Sequence, residues 1–140
     1  MEGFSAAANN NKGAILAVLA KWLPKQAKLL EIGSGAGQHA IHMAGELKHI
    51  HWQPSDRASV LPMLTSNVAA YGSANILTPI TLDLAKDIWP TETFHCAYSA
   101  NVMHIVSSEL GEKLIRGAAK ALAEDGLLAL YGPYKYAGDF

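Results

Sequence analysis

The chain has 140 residues, half of them hydrophobic and 16% charged, with a formal net charge of −1. That is the length of one domain, residues 1–140, with enough apolar residues to bury a core. The lack of basic runs excludes an electrostatic grip on a nucleic-acid backbone, and no apolar stretch approaches the roughly 20 residues of a membrane span.

Residues 12–22 carry Ile15, Leu16, Val18, Leu19 and Trp22 at helical spacing, and Pro24 stops the pattern. A first strand is predicted over 28–32 and a crossover helix over 37–47. A second strand is predicted over 49–54, closing at Pro54-Ser55-Asp56, followed by a helix over 58–71 that Gly72 ends. Strands over 76–82 and 94–100 come next, then a long helix over 108–124 closed by Asp125-Gly126, and a fifth strand over 127–132. Strands alternating with helices predict an α/β domain with a doubly wound, mainly parallel sheet. Ligands of such sheets bind at the carboxyl ends of the strands, where strand order reverses. The start Met1-Glu2-Gly3-Phe4 has neither the basic nor the apolar region of a secretion signal, and the lone Cys96 forms no internal disulfide; a reducing cytoplasm is the expected compartment.

The most informative stretch is Leu29-Leu30-Glu31-Ile32-Gly33-Ser34-Gly35-Ala36-Gly37-Gln38-His39. A short apolar run ends in an acid and passes through three alternating glycines into a helical pattern. Glycine lacks a Cβ and tolerates positive φ, so a ligand can lie against the backbone, with the N–H groups of the following helix aimed at it. The dinucleotide fingerprint G-x-G-x-x-G has its third glycine where this chain has Gln38, which speaks against a nicotinamide-dependent enzyme. The pattern acid-x-Gly-x-Gly-x-Gly instead resembles the first motif of class I S-adenosyl-L-methionine (AdoMet)-dependent methyltransferases.

That resemblance implies a cofactor site from Glu31, Gly33, Ser34, Gly35, Gly37 and His39, with further groups at the other strand ends. Asp56, at the end of strand two, can accept both ribose hydroxyls or cap the helix that follows; with Glu31 and the glycines in place the ribose role is favoured. Arg57 is equally suited to covering the adenine face and to being a solvated surface charge. In methyltransferases an acid at the place of Asp83 takes the adenine amine and the next N–H, here that of Leu84, meets a ring nitrogen; the alternative is that Asp83 caps the turn after it. At the end of strand four, the Asn101 carbonyl would meet the cofactor's ammonium, while the Asn101 side chain and His104 face the transferring methyl. His104 is the general-base candidate, since imidazole titrates near neutrality, though a lone histidine is more often structural. Tyr131, Tyr134 and Tyr136 offer apolar bodies with polar tips for an acceptor pocket, or pack as an aromatic loop on the core rim. The pairs His39/His42 and His49/His51 have ligand-like spacing, but no cysteine or carboxylate cluster completes a metal site, and none is expected.

Five pieces of the chain together resemble the methyltransferase-like 26 family, a domain of unknown function. They are Asn11-Lys12, Leu30 to His39, Trp52-Gln53-Pro54-Ser55-Asp56, Asn101-Val102-Met103-His104-Ile105 and Gly132-Pro133-Tyr134-Lys135-Tyr136. The resemblance implies a Rossmann-like class I methyltransferase fold, AdoMet as cofactor with S-adenosyl-L-homocysteine as product, and a small-molecule acceptor. It also implies that Asn11 and Lys12 fold over the cofactor. Family members run on by a strand pair and a helix beyond the place where this sequence stops, Phe140. About five strands are then expected, with the C-terminal strand pair missing and Leu127-Leu128-Ala129-Leu130-Tyr131 as an apolar open edge that favours a homodimer. The alternative function is a non-catalytic, shortened domain that binds AdoMet or a protein partner.

Overall fold

The apolar run Ala27–Ile32 (β1) is buried along nearly its whole length, as a strand covered on both faces must be. The computed structural model describes residues 1–86, 88–100 and 108–131, and among them β1 is the centre of a five-stranded sheet. The other elements in chain order are α1 (Ala6–Trp22, before β1), α2 (Gln38–Glu46), β2 (Ile50–Asp56), α3 (Leu61–Tyr71), β3 (Ile80–Thr81), β4 (Phe94–Ala100), α4 (Ser108–Ala121) and β5 (Leu122–Tyr131). The strand order is β3-β2-β1-β4-β5, and every neighbouring pair is parallel. The chain therefore winds outward from β1 in one direction and returns to its other side with β4. That reversal lies beside the carboxyl end of β1.

Alternation along β1 feeds two cores. Leu29 joins Ile15 and Leu19 of α1, Met43 of α2, and Trp52 and Tyr98 of the neighbouring strands. Leu30 and Ile32 face the other way, toward Leu114 and Ala118 of α4. Cys96 is buried in the first cluster, where burial pushes its thiol up to about 12 and leaves it inert at neutral pH.

The element boundaries differ most from the sequence reading at three places. Helix α1 begins at Ala6, so the polar run 9–11 is helical; burial of Ile15 and Leu19 outweighs the weak propensity of asparagine. The third strand shrinks from 76–82 to Ile80–Thr81, preceded by a separate bridge between Trp52 and Ile76. Pro79 has no N–H for the ladder, and the Gln53 side chain takes the Thr78 carbonyl at 2.8 Å instead. The expected turn at Asp125-Gly126 lies inside β5, where Asp125 takes φ 66° and the pairing with β4 shifts register between Phe94 and Cys96.

The Trp89 indole packs against α4 at Gly117, where a Cβ would collide with the ring. Glycine to alanine inside a helix ordinarily gains up to about 1 kcal/mol. Gly117→Ala is expected instead to lose about 1–3 kcal/mol, because the ring must move from its packed position. Chemical denaturation measures the sign, and a stabilised variant would contradict the packing.

Candidate functional site

Between β1 and α2 the chain turns through Gly33 (φ 75°), Gly35 (φ 57°) and Gly37 (φ 87°). The turn is clamped to the end of β2. The Ser34 N–H donates to the Ser55 carbonyl at 2.8 Å, the Ser55 N–H donates to Ser34 Oγ at 3.0 Å, and the Gly35 N–H donates to Asp56 Oδ2 at 2.8 Å. Gly35 and Gly37 serve different ends. Among the described residues a Cβ on Gly35 would meet nothing within 4 Å, so there is open space above the turn. A Cβ on Gly37 would stand 3.0 Å from Leu64 Cδ1, so that glycine serves close packing of the turn on α3.

Glu31 is 3% exposed, and its Oε1 accepts from Ser34 Oγ at 2.8 Å and from Trp52 Nε1 at 3.0 Å. Burial pushes its carboxyl up from 4.5 to about 7; the hydrogen bonds from Trp52 and Ser34 oppose this, and the charge of Asp56 adds to it. On α2, His39 is buried with its Nδ1 2.9 Å from the Tyr98 hydroxyl. One turn on, His42 is held below the usual imidazole range by burial and then by the charge of Lys12; Glu46 opposes this and His39 adds to it.

A cleft of about 230 Å³ opens at this corner, beside the end of β4 at Ala100. Glu31, Gly33, Ser34, Gly35 and His39 line it, which are five of the residues the sequence singled out. Its other wall was not foreseen. Gly3, Ser5 and Gln38 form it, with the Gln38 amide pairing both ways with Ser5: the Ser5 N–H donates to Oε1, and Nε2 donates to the Ser5 carbonyl at 3.1 Å. Asn67 Nδ2 ties this segment to the turn by donating to the carbonyls of Glu2 (2.8 Å) and Ala36 (2.9 Å). The one signal for this wall in the sequence is Gln38 itself, a long amide where a glycine motif has none.

The other named residues are more spread out. Gly37 shapes the turn without lining the cleft. Asp56 borders it, with Oδ2 on Gly35 and Oδ1 accepting the Arg57 N–H at 2.7 Å; the Arg57 side chain is exposed. Asp83 Oδ1 accepts the Ala85 N–H at 3.0 Å, which is the capping arrangement, and the Leu84 side chain is buried in the second core. Lys12 lies on α1 near His42, in the same helix as Asn11. Tyr131 ends β5 and is 38% exposed. Asn101, His104, Tyr134 and Tyr136 lie outside the described residues. A wider groove of about 430 Å³, beside Thr93 and the Lys113, Arg116 and Lys120 face of α4, contains none of the residues the sequence singled out. Among the described residues no three His, Cys, Asp or Glu side chains are grouped to hold a metal ion, and no helix is long and apolar enough to cross a membrane.

The five-stranded parallel sheet with a glycine turn at its switch point is a Rossmann-like fold, and it matches that of solved methyltransferase structures. The chain belongs to the family described as protein of unknown function (DUF938), which matches residues 2–140. Among solved structures it is similar to the AdoMet-dependent methyltransferase SibL in its apo form, with a TM-score of 0.77 and 21% identity over 89% of this chain and 36% of that one. It is similar to coclaurine N-methyltransferase bound to N-methylheliamine and SAH, with a TM-score of 0.69 and 16% identity over 93% and 38% of the two chains. The pyocyanin biosynthetic protein PhzM matches with a TM-score of 0.71 and 13% identity over 87% and 36%. The chain thus spans little more than a third of the length of these relatives.

Proposed function

We propose that the cleft binds AdoMet and that the domain transfers the methyl group to a small-molecule acceptor. The observation that carries this reading is Gly35. Its left-handed backbone leaves open space on the ligand side, and its N–H is fixed by an acid at the end of β2. Similar structures that include an AdoMet-dependent methyltransferase and an N-methyltransferase bound to N-methylheliamine and SAH support the cofactor and the acceptor class. The resemblance to the methyltransferase-like 26 family supports it further.

In this reading Glu31, Gly33, Ser34, Gly35 and His39 surround the methionine part, while Gly37 holds the shape of the turn. Asp56 keeps acceptor capacity for the ribose hydroxyls, since an ionised carboxylate takes about four hydrogen bonds and two are used. Arg57, Asp83 and the Leu84 N–H are assigned to adenine, and Asn11 and Lys12 of α1 to the cover. When bound, the cofactor supplies a methyl group already activated by its sulfonium leaving group. What the chain adds is mainly position, which is worth much of the barrier in such displacements. Asn101 and His104 are assigned to the acceptor, His104 as general base, with Tyr131, Tyr134 and Tyr136 around it.

Calorimetric titration with AdoMet and S-adenosyl-L-homocysteine tests the reading, and no binding of either at millimolar concentration would sink it. A turnover screen on small N-, O- and S-nucleophiles then distinguishes transfer from silent binding. Asp56→Ala is expected to weaken AdoMet by about 1–3 kcal/mol, because it removes the acceptor from two buried hydroxyl donors. It also frees the Gly35 N–H, at about 1 kcal/mol of stability. Titration and urea denaturation on the same variant separate the two losses; full affinity with lowered stability would leave Asp56 a purely structural clamp.

A further inference from the structure

The groove of about 430 Å³ beside α4 lies at the other end of the sheet from the cleft. Thr91 to Thr93 of its wall run into the amino end of β4, and the cleft borders Ala100 at that strand's carboxyl end. The 7 residues of β4 hold the two apart by about 20 Å. Methyl transfer makes no use of this groove.

Its charge is one-sided. Lys113, Arg116 and Lys120 recur at helical spacing on one face of α4, and all three line the groove. The acid of the loop, Glu92, is held by Lys28. Arg116 has Glu112 at 3.8 Å, but the two side chains are 78% and 71% exposed, and such a pair holds little. Lys113 and Lys120 have no ion-pair partner among the described residues.

A neutral donor joins these cations. Trp89 packs on Gly117, and both line the groove. Among the described residues Trp89 Nε1 is the one buried side-chain nitrogen or oxygen without a hydrogen-bond partner. An indole N–H can only donate, and a buried donor ordinarily has its acceptor. Ammonium and guanidinium groups also only donate. The groove therefore collects donors and positive charge and lacks the acceptors to match them.

We propose that this groove is a second binding site, for a small ligand carrying several oxyanion groups, phosphoryl or carboxyl. Its volume is that of a small-molecule site. From Lys113 to Lys120 the helix rises about 10 Å, which suits a ligand with charges spread along it better than a single phosphate. The Arg116 fork pairs with two oxygens of one group, the lysines neutralise the others, and the Trp89 N–H gains an acceptor. Three cations give little grip on a nucleic-acid backbone, where affinity grows with the number of phosphates neutralised.

The test is calorimetric titration of the whole chain with sodium triphosphate, with citrate and with inorganic phosphate at fixed ionic strength. The indole N–H signals of the isotope-labelled protein are followed alongside. The chain has three tryptophans, and Trp89→Phe, which keeps a ring but no N–H, identifies the signal of Trp89. Triphosphate or citrate is expected to bind at one site, at least about tenfold tighter than phosphate, and to shift the Trp89 signal. The tighter of the two names the oxyanion. Arg116→Gln combined with Lys120→Gln, both exposed positions, should weaken binding by about tenfold or more, and Trp89→Phe severalfold, with AdoMet affinity unchanged in each. No binding of either polyanion at millimolar concentration, or binding that these variants leave as it was, would overturn the inference. Either result leaves the AdoMet reading untouched, since that reading rests on the other end of the sheet.

Discussion

Gly35→Val is expected to leave a folded domain that has lost AdoMet binding, by two orders of magnitude or more in Kd, roughly 3 kcal/mol. The backbone at Gly35 has φ 57°, which a β-branched residue adopts only under strain of about 1–3 kcal/mol. Among the described residues no atom stands within 4 Å of the new Cβ, so they give the fold no steric reason to fail. The added methyls would occupy the open space that the cleft offers a ligand. Gly37→Ala is the matched control. Its Cβ meets Leu64 Cδ1 at 3.0 Å under φ 87°, so it should lose stability while its folded fraction keeps its affinity. Calorimetry and denaturation on both variants give four numbers, and wild-type affinity in Gly35→Val would remove the turn from the site.

The second large effect is on the stability of the ligand-free protein, which should respond to pH through Glu31. In the fold its carboxyl releases its proton at about 7, against 4.5 for the ordinary group. The raised value means that the native state keeps a proton the unfolded chain has already lost. The stabilisation is therefore full below about pH 4.5, falls as pH rises and is gone above about pH 7, a change of about 3 kcal/mol in all. Glu31→Gln should lack this component, and wild type should lose stability relative to it between pH 4.5 and 8. Urea midpoints of both proteins at the two ends measure the difference. A wild type that gains on the variant as pH rises would mean that the fold favours the charged carboxylate.

The candidate site was legible in the sequence where it is local. A strand, a tight turn and a helix N-terminus are continuous in the chain, so the resemblance carried by this one stretch named Glu31, Gly33, Ser34, Gly35 and His39, which line one cleft. The same holds for β4, whose apolar run matches its observed span Phe94–Ala100, and for β1, which differs by one residue. Reading failed where distant parts meet. Ser5 finds Gln38 across 33 positions, and Asp56 finds the Gly35 N–H across 21. The local patterns mark Gln38 and Asp56 but name neither residue's partner.

The sequence by itself determined the alternation of strands and helices, the central apolar strand and the glycine turn, because hydrophobic period and backbone freedom are properties of neighbouring residues. Only the tertiary structure decided which glycine opens toward the cleft and which merely packs, since Gly35 and Gly37 differ in what lies above them and not in their own chemistry. It alone decided the electrostatic character of Glu31. An acid at a strand end is an ordinary carboxylate until the sheet order places Trp52 and Ser34 on it and Asp56 beside it, and closes it from water. Burial is set by the whole packed chain, and with it the free energy of that charge.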